Sequence, residues 1–300
     1  MKLLILGGGA SPEREVSLRS ATAVADAARQ ADYEVEEADP GAGLMFLDKL
    51  QPGTIVLPIL HGAGGEDGSL QAELEKRNLP FLGTKSQPST ACWDKWTALN
   101  KLAAAGVPIA KSELVTPYSF KHHALASKPY VLKVRRGGSS IGVLIARDTS
   151  RVRDWQIEEV FAMESPAILE ELIEGVEITV AVLDGQALPV VEIRPPTNGE
   201  FDYDNKYNGK TAELCPPENV SDEVQASARA VAEKSHKLLG CRHLSRTDMM
   251  VRPDGSLFVF DLNTMPGLTE QSLYPKAALT AGLSMPELVK KFVAMVERDA

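Results

Sequence analysis

Several features that would quickly assign this sequence are missing. It has three cysteines in 300 residues, Cys92, Cys215 and Cys241, with no CxxC spacing. An odd, scattered set of this kind fits free thiols in a reducing compartment better than a disulfide frame. Cationic residues are in the minority, with 32 Lys and Arg against 41 Asp and Glu for a net charge of −9. That balance argues against a nucleic-acid partner, which calls for a basic stripe. A polyanionic ligand would have to be met by local cations and metal ions. No stretch approaches the roughly 20 apolar residues that span a bilayer. The opening MKLLILGGGASPERE has too short an apolar run for a signal peptide and reads as a first strand. A cytoplasmic protein with no membrane partner is expected. Internal repeats, low-complexity tracts, a nucleophile elbow and a Cys–His pairing are all absent. His122, His123, His236 and His243 have no metal spacing and read as surface or structural residues.

The composition is that of a globular chain, with 44% hydrophobic and 24% charged residues, and the length suffices for two or three small packed domains. Lys2–Leu6 reads as a strand running into Gly7-Gly8-Gly9, with Ser11 expected to cap a helix and Pro12 at its first position. Strands at 33–38 and 54–60 complete a small parallel α/β domain over about residues 1–85. Residues 86–175 read as mixed α+β, with a helix from Asp94 to Ala105 and strands flanking a glycine–serine loop. The last part, 176–300, opens with a hairpin turning at Asp184-Gly185. It continues through a polar stretch at 195–218, a helix near 222–239 and a second hairpin turning at Asp254-Gly255. It closes with a helix near 285–298 carrying a Ser284-x-x-Glu287 capping box. A long polar loop inside a compact domain is usually functional or mobile.

The second hairpin carries the sharpest chemical signal. A two-residue turn at Asp254-Gly255 pairs Asp248 with Asp261 and Arg246 with Asn263, all on one face because side chains alternate with period two. Facing carboxylates repel unless a cation joins them, and Asp, Asp and Asn oxygens suit Mg²⁺. A solvated charged face, or a bulged turn at Pro253 that shifts the register by one, remains open on spacing alone. The run Arg135-Arg136-Gly137-Gly138-Ser139-Ser140-Ile141-Gly142, with Lys133 before it, can bring backbone N–H groups and hydroxyls to an anion. It is neither a Walker A motif nor a Rossmann fingerprint. The helix start after Gly7-Gly8-Gly9 is a further anion site, where Glu13 could hold a substrate ammonium. His61-Gly62-Ala63-Gly64-Gly65-Glu66-Asp67-Gly68 sits at the carboxyl end of a strand, where open α/β sheets place ligands.

Taken in order, GGGASPEREVSL, HGAGGEDGSLQ, DKW, LKVRRGGSSIGV, LEELIEGVEITVAVL, YDNKYNGKTAELCP, RTDMM and DLNTMPGLTEQSLYPKAA resemble the D-alanine–D-alanine ligase family of ATP-grasp enzymes over nearly the whole length. The resemblance implies an α/β (α+β) fold of three-domain ATP-grasp architecture with an N-terminal parallel α/β domain. It implies ATP and two magnesium ions, for which manganese could substitute, small amino-acid substrates, and a homodimer. Lys95, Lys133, Ser139, Ser140 and Lys206 would meet the phosphates, Glu170, Glu171, Leu172 and Ile173 the adenine, and Glu177 the ribose. Asp248, Asp261 and Asn263 would hold the metals. Glu13, Ser139 and Tyr207 would form a network on the first substrate's ammonium, with His61 also on the substrate side. Arg246 and the Gly267 N–H would form the oxyanion site, with Ser272 and Leu273 beside the second alanine. The implied reaction is ATP-dependent formation of D-alanyl-D-alanine through an acyl phosphate, for peptidoglycan precursors.

At several positions the chain departs from the family pattern. Asp261 stands for a usual glutamate, Gly137 for an acid, Leu244-Ser245 for a small or aromatic residue and glycine, Gln271 for a histidine and Lys276 for an apolar residue. A divergent amino-acid ligase with other substrates is therefore the alternative reading, and an inactive ATP-binding module a third. Substrate panels and an ATPase assay with D-alanine distinguish them.

Overall fold

The computed structural model describes residues 1–195 and 211–300, arranged as three sheets. The elements, in chain order, are β1 (Lys2–Leu6), α1 (Arg14–Gln30), β2 (Glu34–Ala38), β3 (Ile55–Pro58), α2 (Ser69–Lys76), α3 (Ser86–Trp93) and α4 (Lys95–Ala104). There follow β4 (Ser112–Val115), α5 (Pro117–Lys121), β5 (Tyr130–Lys133), β6 (Val143–Ala146), α6 (Asp154–Met163), β7 (Ala167–Glu171), β8 (Val176–Leu183), β9 (Gln186–Ala187), β10 (Val191–Arg194) and β11 (Ala212–Leu214). The chain ends with α7 (Asp222–Leu239), β12 (Leu244–Val251), β13 (Leu257–Asn263), α8 (Leu273–Thr280) and α9 (Met285–Asp299).

The first sheet is parallel, ordered β2-β1-β3, and its β1 and β3 segments are short apolar runs buried on both faces. The second is antiparallel, β4-β7-β5-β6, and the third is antiparallel along β11-β10-β8-β12-β13 with β9 on β8. The hairpin expected at Asp184-Gly185 forms with positive φ at both residues, 51° and 75°, and pairs Leu183 with Gln186. The Ser284–Glu287 capping box also forms, with the Ser284 N–H donating to the Glu287 carboxylate at 2.8 Å.

Helix α1 starts later than expected. Arg14 is its first residue and Glu13 its cap, while Ser11 lies in the preceding turn. The Ser11 hydroxyl donates to the His61 carbonyl at 2.7 Å and accepts from the Glu13 N–H at 3.1 Å, so it ties the turn to the loop after β3 instead of capping the helix.

Two cores cross the expected divisions of the chain. Leu3, Ile5, Val24 and Leu57 of the first unit pack with Ala181, Leu244, Tyr274 and Phe292 of the last. Helices α3 and α4, grouped by position with residues 86–175, bury Cys92, Leu99 and Leu102 against Ile178, Val180, Met249 and Val259 of the third sheet. The second sheet keeps a separate core around Phe120, Tyr130, Leu132 and Leu169. It therefore stands as a flap over the third sheet, and a cavity lined by residues of both opens between them.

Candidate active site

The cavity has a volume of about 470 Å³, within the range of roughly 300–1,000 Å³ typical of small-molecule sites. One side is formed by Lys133 of β5, residues Glu170–Ile173 at the end of β7, and the loop bearing Ser139 and Ser140. The other is formed by Glu177 of β8, Arg246 and Asp248 of β12, and Asp261 and Asn263 of β13, with Lys95 at the edge.

The acidic pair expected across the second hairpin is present, for a reason the spacing did not contain. Asp248 pairs with Asp261 and Arg246 with Asn263. Nearer the turn, however, Met250 pairs with Phe258 and Val251 with Leu257, one residue out of that register. The turn holds three residues, Pro253-Asp254-Gly255, with Gly255 at φ 84° and the Arg252 N–H donating to the Ser256 carbonyl. A β-bulge between Asp248 and Met249 restores the register, because Phe260 is the extra residue. The Phe260 carbonyl accepts from Lys133 Nζ at 3.1 Å, so the bulge also anchors a cation of the opposite sheet.

Asp248 is buried and its carboxylate is taken in a two-pronged grip by Arg246, with Nε to Oδ1 at 2.8 Å and Nη2 to Oδ2 at 2.7 Å. The Thr179 hydroxyl of β8 donates to the same Oδ1 at 2.5 Å. Asp261 lies 3.8 Å from Lys95 Nζ, and Asn263 Oδ1 accepts from the Met265 N–H at 2.8 Å. Among the described residues no group of three His, Cys, Asp or Glu side chains gathers as a metal cage. Two carboxylates and one amide oxygen nevertheless fit Mg²⁺, which takes one or two protein carboxylates and completes its shell with phosphates and water.

The cations are fixed in place. Lys133 is buried and pairs with Glu170 at 2.9 Å, and Lys95 Nζ donates to the Gly137 carbonyl at the base of the glycine loop. Glu171 pairs with Arg252 at 3.1 Å. Ser139 and Ser140 both take left-handed backbone angles, φ 52° and 60°, unusual for residues with a Cβ and typical of strained functional loops.

On the amino-acid side, the Ser139 hydroxyl donates to Glu13 Oε1 as expected, so two segments over a hundred residues apart meet. Gly62 and Gly138 make room for that carboxylate: a Cβ at either would lie 2.8 or 2.6 Å from Glu13 Oε2. Tyr207 and Lys206 lie outside the described residues. The Gly267 N–H meets no acceptor among the described residues, unlike those of Leu268 and Thr269, which bond Ser20 Oγ and Ser272 Oγ. Gly267 therefore keeps a donor for a ligand oxygen. Ser272 stands at the N-cap position of α8, but its hydroxyl is engaged by the Thr269 N–H and Oγ1 at 3.2 and 2.8 Å and makes no capping bond to the helix.

Two residues expected to touch substrate are turned elsewhere. The ring nitrogens of His61 bond the Met265 carbonyl at 3.0 Å and Ser20 Oγ at 3.1 Å, and burial pushes its pKa down to about 4. It is a neutral strut between α1 and the loop after β13. The Leu273 side chain is buried in the core shared by the first and last units, leaving only its helix-end backbone for a ligand.

The sequence reading missed Thr179, because only the long-range pairing of β8 with β12 sets it opposite Asp248. It also left Glu66 undistinguished within the His61–Gly68 turn. That carboxylate is 6% exposed, lines the cavity and accepts from the Gly62 N–H at 2.6 Å. Two departures from the family pattern have local partners. Ser245 Oγ lies 2.7 Å from the buried His236 Nδ1, and Lys276 pairs with Glu213 at 2.6 Å.

Residues 102–294 match the family model described as the D-ala D-ala ligase C-terminus. A D-alanine–D-alanine ligase of Xanthobacter autotrophicus is 38% identical over 302 residues, covering 98% of each chain. One of Halalkalibacterium halodurans is 36% identical, again with 98% of each covered. Among solved structures, the Bacillus anthracis D-alanine–D-alanine ligase superposes with a TM-score of 0.86 at 30% identity, covering 100% of this chain and 98% of that one. The same enzyme complexed with ATP gives 0.82 at 26% identity, with the same coverage. A D-Ala:D-Ser ligase from Enterococcus faecalis gives 0.83 at 27% identity over 99% of both chains. With its full length matched and its carboxylates, lysines and glycine loop converging on one cleft, the chain belongs to the D-alanine–D-alanine ligase family of ATP-grasp enzymes.

Proposed function

We propose that this chain uses ATP to join two D-alanine molecules into D-alanyl-D-alanine, the dipeptide of peptidoglycan precursors. The observation that carries the reading is the facing pair Asp248 and Asp261 on a cleft that also presents Lys95 and Lys133. A carboxylate is a poor electrophile, and transfer of the terminal phosphoryl group of ATP makes it an acyl phosphate with a good leaving group. Positioning and charge neutralisation dominate that step. Lys95 and Lys133 would hold the phosphates, and Ser139 and Ser140 would cover them. Glu170–Ile173 would receive adenine and Glu177 the ribose. Magnesium, held by Asp248, Asp261 and Asn263, would neutralise phosphate charge. Glu13 with Ser139 would orient the donor's ammonium. The second amine then attacks the acyl carbon. Arg246 and the Gly267 N–H would receive the oxyanion, an effect of about 3–4 kcal/mol per donor in comparable sites. Lys206 and Tyr207 would close over the site and keep water from the acyl phosphate. The reading extends to a cytoplasmic homodimer, which family resemblance supports and sedimentation at micromolar concentration tests.

Mass spectrometry of the product after incubation with ATP, Mg²⁺ and D-alanine tests the reaction. D-Ala–D-Ala with one ADP per dipeptide is expected. A second reading, a mixed dipeptide with a different acceptor, is favoured by Lys276 and Gln271 beside Ser272. It wins if D-serine or another amino acid consumes ATP faster than D-alanine does. Phosphate release with no peptide bond from any amino acid refutes both.

A further inference from the structure

Nothing in the spacing of the His61–Gly68 turn separates Glu66 from Asp67, yet the fold uses them oppositely. Asp67 is spent on the turn itself, accepting from the Gly64 N–H at 2.8 Å and from the Ser69 N–H and hydroxyl at 2.9 and 2.6 Å. Glu66 is more than nine-tenths buried, and its side chain forms part of the cavity wall. Oε2 is fixed by the Gly62 N–H at 2.6 Å, while Oε1 has no hydrogen-bond or ion-pair partner among the described residues. The glutamate is thus anchored by one oxygen and presents the other to the cavity.

The charges that face it come from four elements. Glu13 lies at the start of α1, Lys95 at the start of α4, Arg246 on β12 and Asp261 on β13. Neither cation pairs with Glu66: Arg246 is committed to Asp248, and Lys95 to the Gly137 carbonyl and Asp261. Glu13 crowds the same residue that anchors Glu66, since a Cβ on Gly62 would lie 2.8 Å from Glu13 Oε2. Two carboxylates therefore flank Gly62, and among the described residues neither pairs with a cationic side chain. Such an arrangement is costly unless one carboxyl is protonated or a cation joins the pair. Burial, followed by the charge of Glu13, holds the Glu66 carboxyl up to about 8, so near neutrality it retains a proton.

We infer that Glu66 is a second substrate-binding carboxylate, which with Glu13 forms a two-carboxylate seat for the ammonium group of the donor amino acid. Entry of the ammonium displaces the proton that Glu66 holds in its absence. The step is a proton exchange only: the Glu66 O–H bond breaks, the proton leaves to buffer, and the ammonium keeps its three hydrogens and takes the freed carboxylate as acceptor. The inference rests on the reading that the chain binds an amino acid. It adds to that reading a residue and a measurable proton.

The test is calorimetric titration of the full chain with D-alanine at pH 7, in the presence of Mg²⁺ and a non-hydrolysable ATP analogue. It is run in phosphate and in Tris, whose ionisation heats differ widely. The wild type should release up to one proton per D-alanine bound, seen as a buffer-dependent heat. Glu66→Gln keeps an oxygen for the Gly62 N–H but cannot ionise. It should bind D-alanine at least tenfold more weakly, with no buffer dependence and with affinity for the nucleotide analogue unchanged. Glu66→Asp should recover part of the lost affinity. A buffer-independent wild-type heat, or Glu66→Gln matching wild-type affinity, overturns the inference. If Glu66→Gln fails to fold, the wild-type buffer dependence decides alone. The two proposals fail separately. A wild type that makes D-Ala–D-Ala while Glu66→Gln keeps its KM removes the seat and leaves the reaction. If the wild type uses a different amino acid, the D-alanine product falls and the titration is run with that amino acid.

Discussion

Arg246 and Asp248 are the two groups on which metal binding and oxyanion stabilisation would depend, and they grip each other. The pair is largely withdrawn from water, with side-chain exposures of 16% and 10%. Removing one member takes from the other, itself a buried charge, its two-pronged partner, at a cost of about 3–5 kcal/mol. In a chain of this size that corresponds to a fall in Tm of about 10 °C. Arg246→Met and Asp248→Ala should each show this loss. The double variant should be less destabilised than the sum of the two, with a coupling of about 2–3 kcal/mol. Thermal or urea unfolding of the four proteins gives the cycle directly. Both single variants should lose dipeptide synthesis by at least about a hundredfold, consistent with loss of a preorganised charge. Their response to Mg²⁺ with ADP should differ: Arg246→Met keeps a magnesium-dependent rise in Tm, and Asp248→Ala does not. Strictly additive stabilities, or a full magnesium-dependent shift in Asp248→Ala, would refute the reasoning.

Acid should destabilise the fold earlier than carboxylate titration requires. Burial depresses His61, His236 and His243 to about 4, so each stays neutral in the folded chain and gains a proton on unfolding below its ordinary value near 6.5. Stability is then complete above about 6.5 and drains as pH falls towards 4, by up to about 3 kcal/mol per histidine. Equal urea midpoints at pH 7.5 and pH 5 would contradict this. Gly267→Ala puts a Cβ 2.9 Å from Ser272 Oγ, so the Ser272 side chain or the Gly267 backbone must shift. We expect kcat to fall about tenfold, as when a positioned donor is displaced, with nucleotide affinity intact. A change confined to nucleotide binding would refute it. Lys276→Met removes the ion pair to Glu213 and should alter the preference between D-alanine and D-serine as acceptor in competition assays, leaving donor KM unchanged. An unaltered preference excludes Lys276 from acceptor choice.

Local chemistry made parts of the fold readable. The Asp184-Gly185 turn and the Ser284–Glu287 box are fixed by residues within a few positions of each other, β3 by a short apolar run and β1 by the apolar run that follows Lys2. The acid pair was legible for a subtler reason. A three-residue turn moves the register by one and a bulge at Phe260 moves it back, so the simple two-residue count lands on the right partners at the metal end only. What depends on distant packing was not legible. The shared face of Asp248 and Thr179 needs the β8–β12 pairing, and the bond from Ser139 to Glu13 joins two units, which only the family resemblance anticipated. His61 has the chemistry of a substrate ligand, but Ser20 and the Met265 carbonyl claim both its nitrogens. Helices α3 and α4 follow the first unit in sequence yet bury their apolar face on the third sheet, a choice set by complementary surfaces.

The central claim is that the cleft activates a carboxylate by phosphoryl transfer before the amine attacks. Synthesis with D-alanine labelled with ¹⁸O in its carboxylate, followed by mass analysis of the released phosphate, tests it most directly. One labelled oxygen in the phosphate for each peptide bond formed is the expected result. Unlabelled phosphate accompanying dipeptide would contradict the account.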